Sequence, residues 1–356
     1  MRPETLAIHF AQDADPTTGA LVTPIAQTST FVQEAPGVNK GFDYTRTSNP
    51  TRQTLEKVLA ALEGVEHGAV FASGIAAENA IFQSLLQPGD EVLVPDDLYG
   101  GTFRLLNSYG HRFVVDPAYR QFTDRTKLVW IESPTNPRLK LFDIETIAQR
   151  AHAHGALVVV DNTFATPLNQ RPFELGADLV VHSVTKYLAG HSDVIQGAVL
   201  AKDADVLAPI RFAQNATGAT ASPFDCWLTL RGLKTLSLRV RQHNANGAAV
   251  AAWLRHHVER VYYPGFGGVV SFEIEGAREL VGSLRYFQLA ESLGGVKSLV
   301  CHPATMTHAA IPEARRRELG ISDDLVRLSC GIEHPDDLIE DLEAVLRRAK
   351  PLAAHA

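Results

Sequence analysis

The chain has 356 residues, 45% hydrophobic and 21% charged, with 33 Lys and Arg against 40 Asp and Glu. This is the make-up of a globular protein long enough for two or three domains, and the formal net charge of -7 excludes the basic footprint of a nucleic-acid binder. Cys226, Cys301 and Cys330 lie far apart and offer neither a disulfide framework nor zinc spacing, and no apolar run approaches the roughly 18 residues of a membrane span. The opening MRPETLAIHF holds no apolar stretch of the secretory kind. The expectations are a reducing, cytoplasmic setting with no membrane, nucleic-acid or metal partner.

The first 50 residues are irregular. Beyond them, apolar segments alternate with helical patterns. GAVFAS (68–73) runs into GIAAENAIFQSLL, and DEVLVPD (90–96) meets a Gly-Gly turn. KLVWIES (127–133), the helical DIETIAQRAHAHG, ALVVVDN (156–162) and ADLVVHS (177–183) follow. Short strands apolar on both faces and separated by helices predict a mainly parallel α/β sheet. Ligands in such sheets collect beyond the carboxyl ends of the strands, and Ser73, Asp96, Asn136, Asp161 and Ser183 all fall there.

From Thr235 the pattern changes. TLSLRVRQHNANGAAVAAWLRHH predicts a long helix interrupted only at Gly247. GGVVSFEIEG alternates Val270, Phe272 and Ile274 with Ser271, Glu273 and Glu275, which predicts a half-exposed strand. A last helix opens on Pro335, Asp336 and Asp337 and repeats Leu338, Leu342, Val345 and Leu346 at helical spacing. The expected division is an extended segment 1–48, an α/β domain 49–235 and a smaller α+β domain 236–356.

Each strand end has an ordinary structural reading beside a chemical one. Ser73, Gly74 and Ile75 make a tight strand-to-helix turn, whose N–H groups and helix dipole also suit a phosphate. Asp161 ends an apolar strand, where a carboxylate needs a helix to cap, a cation or a protonated ring nitrogen. Lys186, flanked by Ser183 and Thr185, would be a surface lysine if taken alone. Together they form the parts of one cofactor site: a phosphate cup, a pyridinium partner and a Schiff-base lysine. Tyr99 offers a ring to stack on a flat cofactor, and Arg327 a fork for a carboxylate. His302 and His308 lack partners at metal-ligand spacing.

The stretches FDYTRTSNPTR, ASGIAAE, DLYGGTFR, ESPTNP, VVDNTFATP, VHSVTKYLAGHSD, SPFDCWLTLRGLKTLSLRVRQH, AESLGGVKSLVCHPATMTHA and LVRLSCGIE resemble, in order and end to end, the Cys/Met-metabolism (trans-sulfuration) family of pyridoxal-phosphate (PLP) enzymes. The resemblance implies the aspartate-aminotransferase-like fold and PLP as cofactor. It implies Lys186 as the Schiff-base lysine, Asp161 as partner of the pyridine nitrogen and Tyr99 as the stacked ring. It assigns Ser183, Thr185, Gly74 and Ile75 to the phosphate. Tyr44 and Arg46 match a pair reaching the neighbouring subunit's cofactor, which implies a homodimer as the minimal unit and usually a homotetramer. Asn136, Ser298 and Arg327 match the grip on the substrate α-carboxylate.

The resemblance narrows the reaction less. Gly101 stands where methionine γ-lyases carry cysteine. Arg104 resembles the cystathionine-handling members, and Asp43 an acidic residue facing the substrate's distal amino group. Lys297 replaces a glutamate common in γ-synthases and γ-lyases, and sulfhydrylases often have lysine there. A lysine at that place attracts an anionic tail, which points to cystathionine γ-synthase acting on cysteine and an activated homoserine ester. Cystathionine γ-lyase or β-lyase, then O-acetylhomoserine sulfhydrylase, are the alternatives within the family. A non-catalytic PLP-fold binding protein is the alternative outside it.

Overall fold

The elements run α1 (Pro3–His9), α2 (Pro50–Glu63), β1 (His67–Phe71), α3 (Gly74–Leu85), β2 (Glu91–Val94), α4 (Gly100–Ser108), β3 (Arg112–Val115), β4 (Thr126–Glu132), α5 (Ile144–Ala153), β5 (Leu157–Asp161), α6 (Thr166–Asn169), β6 (Leu179–Ser183), β7 (Gly197–Ala201), α7 (Ala204–Thr217), α8 (Pro223–Leu233) and α9 (Leu236–Leu254). They continue as β8 (Arg260–Tyr262), β9 (Val269–Glu273), α10 (Ala277–Leu280), β10 (Gln288–Leu289), β11 (Leu299–Cys301), α11 (Glu313–Glu318), β12 (Leu325–Ser329) and α12 (Pro335–Ala349). The structure is a computed structural model, and it describes residues 1–108, 110–309 and 311–349. They form two units: 1–95, 104–131 and 143–237 in the first, and 96–103, 132–142 and the residues from 238 onward in the second.

The first unit holds a seven-stranded sheet of order β1-β7-β6-β5-β4-β2-β3. β2 pairs parallel with β3 and β4, and β5 parallel with β6, whereas β7 runs antiparallel to both β6 and β1. The mainly parallel sheet expected from the doubly apolar strands is therefore present. Val158, Val159, Val160, Leu179, Val180 and Val181 are buried because helices cover both faces. Local chemistry sets the helix ends. Asn49 Oδ1 accepts the N–H groups of Thr51 and Arg52 at the start of α2, Pro50 fills the first helical position, and Gly64 (φ 84°) ends the helix in the left-handed region.

The second unit holds a five-stranded sheet of order β10-β11-β12-β9-β8, antiparallel except for the β10–β11 pair. α12 buries Leu338, Leu342, Val345 and Leu346 in a core with Val270, Phe272, Val326 and Leu328. Each such leucine contributes about 1.5–3 kcal/mol.

Two sequence expectations need correction here. The alternating pattern places Ser271 on an exposed face of β9, but it is buried and its Oγ donates to Pro137 O at 2.7 Å. The covering residues, 132–142, are distant in sequence but belong to the same unit, so a period-two pattern cannot reveal them. Gly247 does not interrupt its helix: a Cβ there would lie 2.2 Å from Gly267 O, so glycine permits close backbone approach in α9. Among the described residues, no helix is long and apolar enough to cross a membrane.

Candidate active site

In the first unit, the ends of β5 and β6 and the start of α3 converge. Asp161 closes β5, and its Oδ1 accepts the N–H of Thr163 at 2.9 Å. Burial pushes the Asp161 carboxyl upward, opposed by hydrogen bonds from the Thr163 side chain and backbone and by the charge of His182. Thr163 also reaches β6, its Oγ1 accepting Ser183 N at 2.8 Å. Thr163 is thus a contact between the two strand ends that sequence reasoning missed; the only signal was a hydroxyl two residues after an aspartate, a common side-chain-to-backbone pairing.

Ser73 caps α3, its Oγ accepting Ala76 N at 3.0 Å. A Cβ on Gly74 would lie 3.2 Å from Ser183 Cβ, and one on Gly197 only 2.2 Å from Ser73 O. Two glycines therefore let the first turn of α3 settle against β6 and β7. Gly74 and Ile75 present first-turn N–H groups beside the Ser183 hydroxyl. Such a cradle of backbone donors at a helix N-terminus fits a phosphate dianion.

Lys186 follows in the turn after β6, half-buried, with its N–H donating to Ser183 O at 3.1 Å and its carbonyl accepting Gly190 N at 2.8 Å. Thr185 is more committed than expected. Its Oγ1 donates to Gln196 O at 3.1 Å and accepts Gln196 N at 2.9 Å. That hydroxyl has one proton, so to donate to a phosphate it must release Gln196.

The second unit gathers the carboxylate-binding candidates. Arg327 lies on β12, 3% exposed, with Nη1 donating to Asn136 Oδ1 at 2.7 Å and Nη2 to Ser292 O at 3.1 Å. Its Nε finds no hydrogen-bond partner among the described residues. A guanidinium held at both tips, with N–H groups to spare, suits a carboxylate. Ser292 has φ 126°, a strained value for a residue with a side chain. Ser298 is fully buried, its Oγ donating to Glu333 Oε2 at 2.9 Å and accepting Gly331 N at 2.8 Å. Lys297, beside it, is exposed. Tyr99 N donates to both oxygens of Glu132, at 3.0 and 2.9 Å, so the end of β4 fixes the backbone of Tyr99. Glu132 is a second positioning group missed from the sequence.

His302 and His308 serve structure. His302 pairs with Thr305 Oγ1 at 2.8 Å and Asp323 O at 2.6 Å. His308 Nε2 donates to Asn136 O at 3.2 Å, while its Nδ1 accepts Thr307 Oγ1 at 2.8 Å. Burial, helped by the Arg327 charge, pushes His308 down to about 4; burial likewise pushes His243 down to about 4. An imidazole that stays neutral in the fold but takes a proton when unfolded favours the fold fully above about pH 6.5 and loses that favour as pH falls toward about 4. Urea unfolding at about pH 5 should therefore show a loss on the order of 1–3 kcal/mol per histidine relative to about pH 7.5. An unchanged urea midpoint would refute this assignment.

The remaining candidates lie in the first unit. Asp43 Oδ1 accepts Tyr44 N at 2.6 Å. Tyr44 is exposed, the Arg46 guanidinium sits 5.6 Å from its ring centroid, and Arg46 Nε donates to Asn215 Oδ1 at 3.2 Å. Arg104 is exposed on α4.

The sequence profile of the family described as Cys/Met metabolism PLP-dependent enzyme matches residues 4–347. The chain is 47% identical over 377 aligned residues to cystathionine beta-lyase of Coxiella burnetii (strain RSA 493 / Nine Mile phase I), covering 96% of this chain and 97% of that one. It is 44% identical over 375 to cystathionine gamma-lyase of Dictyostelium discoideum, with 96% and 97% covered. The crystal structure of cystathionine gamma synthase from Xanthomonas oryzae pv. oryzae, in complex with aminoacrylate and cysteine, superposes with a TM-score of 0.93 at 44% identity, covering 98% of each chain. A family profile that spans residues 4–347 and relatives at 44–47% identity show that the chain belongs to the Cys/Met-metabolism family of PLP-dependent enzymes, which act on carbon–sulfur bonds.

Proposed function

We propose that this enzyme is a cystathionine γ-synthase, joining cysteine to a homoserine ester whose leaving group is anionic. The observation that carries this reading is Lys297. Its ammonium is exposed with no ion-pair partner among the described residues, and it leads directly into β11, the strand paired with the one bearing Arg327. An unpaired ammonium favours a negatively charged tail on the ester. The names of the relatives support the lyases equally, so cystathionine γ-lyase or β-lyase stands as the second reading, ahead of a sulfhydrylase.

PLP, when bound, supplies an electron sink for the bond broken at the substrate's α-carbon. The residues of this chain do the rest. The Gly74–Ile75 N–H groups and the Ser183 hydroxyl would hold the phosphate, and the Asp161 carboxylate would keep a proton on the ring nitrogen. Lys186 would anchor the cofactor and move a proton at its Nζ, and Tyr99 is proposed to offer its ring to the cofactor and its hydroxyl to a second proton transfer. Arg327, aligned by Asn136, orients the α-carboxylate. Ser298 supports that grip through the Glu333 and Gly331 bonds that shape its loop. Asp43 and Arg104 are proposed to meet the distal end of the substrate.

A product assay decides between the readings. Cystathionine formed from cysteine and an O-succinyl or O-phospho ester supports the synthase. Cysteine with 2-oxobutyrate released from cystathionine would assign the γ-lyase, and homocysteine with pyruvate the β-lyase. Lys297→Glu should lower kcat/KM for the succinyl ester about tenfold relative to the acetyl ester, the effect of one lost ion pair of roughly 1.4 kcal/mol. An unchanged ratio between the two esters refutes the role of Lys297.

The working unit is proposed to be at least a homodimer, with Tyr44 and Arg46 donated to the partner's phosphate. Several apolar side chains in residues 21–38 are exposed, Leu21 at 82% and Val32 at 91%, as a segment that packs on another subunit would be. Arg46→Ala should then weaken PLP retention about tenfold, as loss of one charged hydrogen bond implies. Equal retention in dialysis would argue against a shared site.

A further inference from the structure

Glu63 is the last residue of α2. Its side chain and that of His182 are each 1% exposed. Its Oε1 accepts two hydrogen bonds at once, from His182 Nε2 at 2.6 Å and from Asn162 Nδ2 at 2.8 Å. Asn162 is held in turn by Gln170, donating to Gln170 O at 3.0 Å and accepting Gln170 Nε2 at 2.9 Å. Asn162 directly follows Asp161, and His182 directly precedes Ser183. Side chains alternate across a strand, so the clamped pair points away from the face that carries Asp161 and Ser183. One carboxylate thus ties the strand end bearing Asp161 to the strand end that leads through Ser183 to Lys186.

A buried ionisable pair is often no better than apolar side chains of the same volume. Among the described residues this one is also incompletely satisfied: Glu63 Oε2 and His182 Nδ1 have no hydrogen-bond partner there. A partly satisfied buried cluster costs stability.

We propose that Glu63 is a positioning residue: by clamping Asn162 to His182 it fixes the spacing of Asp161 from Ser183 and Lys186, and so seats the cofactor's ring nitrogen on Asp161. The inference rests on the reading of Asp161 as the ring nitrogen's partner. A role of this kind acts on the ring nitrogen and not on the phosphate.

The test is cofactor titration of the full-length, PLP-stripped chain with PLP and with an analogue carrying C–H in place of the ring nitrogen, followed by visible circular dichroism. Glu63→Leu should weaken PLP binding about tenfold and analogue binding by less than about twofold. Glu63→Gln, which keeps an oxygen acceptor for both donors, should restore the wild-type preference. If Glu63→Leu does not fold, Asn162→Leu cuts the β5 half of the clamp alone and must show the same selective loss. Equal weakening of both cofactors, or of neither, overturns the proposal. Asp161→Asn separates the two levels: if it still prefers PLP over the analogue as the wild type does, the reading of Asp161 falls and this inference with it. If Asp161→Asn loses the preference while Glu63→Leu keeps it, only the positioning role falls.

Discussion

Lys186→Ala should lose at least about 10³ in kcat, the upper part of the range for a positioned proton-transfer group, because the covalent anchor goes with it. The fold should survive. The hydrogen bonds that shape the turn come from the Lys186 backbone, to Ser183 O and from Gly190 N, and alanine keeps both. The thermal midpoint should therefore stay within a few degrees, on the order of 1 kcal/mol or less. PLP should become removable by dialysis, since the covalent anchor no longer holds it. Exogenous methylamine should recover part of the lost rate by replacing the missing amine. Turnover within about tenfold of the wild type would remove Lys186 from the chemistry.

The two levels of the molecule were legible in the sequence to different degrees. Strand ends were readable because a parallel sheet collects its chemistry there, so Asp161, Ser73 and Lys186 stood out before any pairing was known. The mainly parallel sheet followed from strands apolar on both faces. Partners were not readable. His182 meets Glu63 across 119 residues and Asn162 meets Glu63 across 99, separations that no local pattern encodes. The commitment of Thr185 to Gln196 and of Ser298 to Glu333 was hidden for the same reason. A hydroxyl in the expected place reads as a ligand until its other bonds are known. Nor did the sequence show that residues 96–103 and 132–142, which carry Tyr99 and Asn136, group with the C-terminal half. Chain order suggests contiguous domains, whereas packing groups segments by what they cover, and Ser271 under Pro137 is a direct case.

Arg327→Ala should cost about 10²–10³ in kcat/KM, since removing one member of a buried, charged pair loses about 2–5 kcal/mol. Two effects add. The substrate carboxylate loses its cation, and the buried Asn136 Oδ1 loses the charged donor that aligns it. Arg327→Lys separates charge from geometry. An ammonium restores the positive charge, but one nitrogen cannot span Asn136 and Ser292 as Nη1 and Nη2 do. The lysine variant should therefore recover less than about a tenth of the lost activity, and the deficit should appear mainly in KM. A merely structural role would lower kcat and stability for every substrate alike. A carboxylate grip makes a sharper demand: the wild type should discriminate an amino-acid substrate from its α-carboxamide, and Arg327→Ala should not. PLP affinity should stay unchanged in both variants, because Arg327 is proposed to hold the substrate and not the cofactor. If Arg327→Ala still prefers the free carboxylate as strongly as the wild type, the grip lies elsewhere, and the Asn136–Arg327 pair is a packing feature of the second unit.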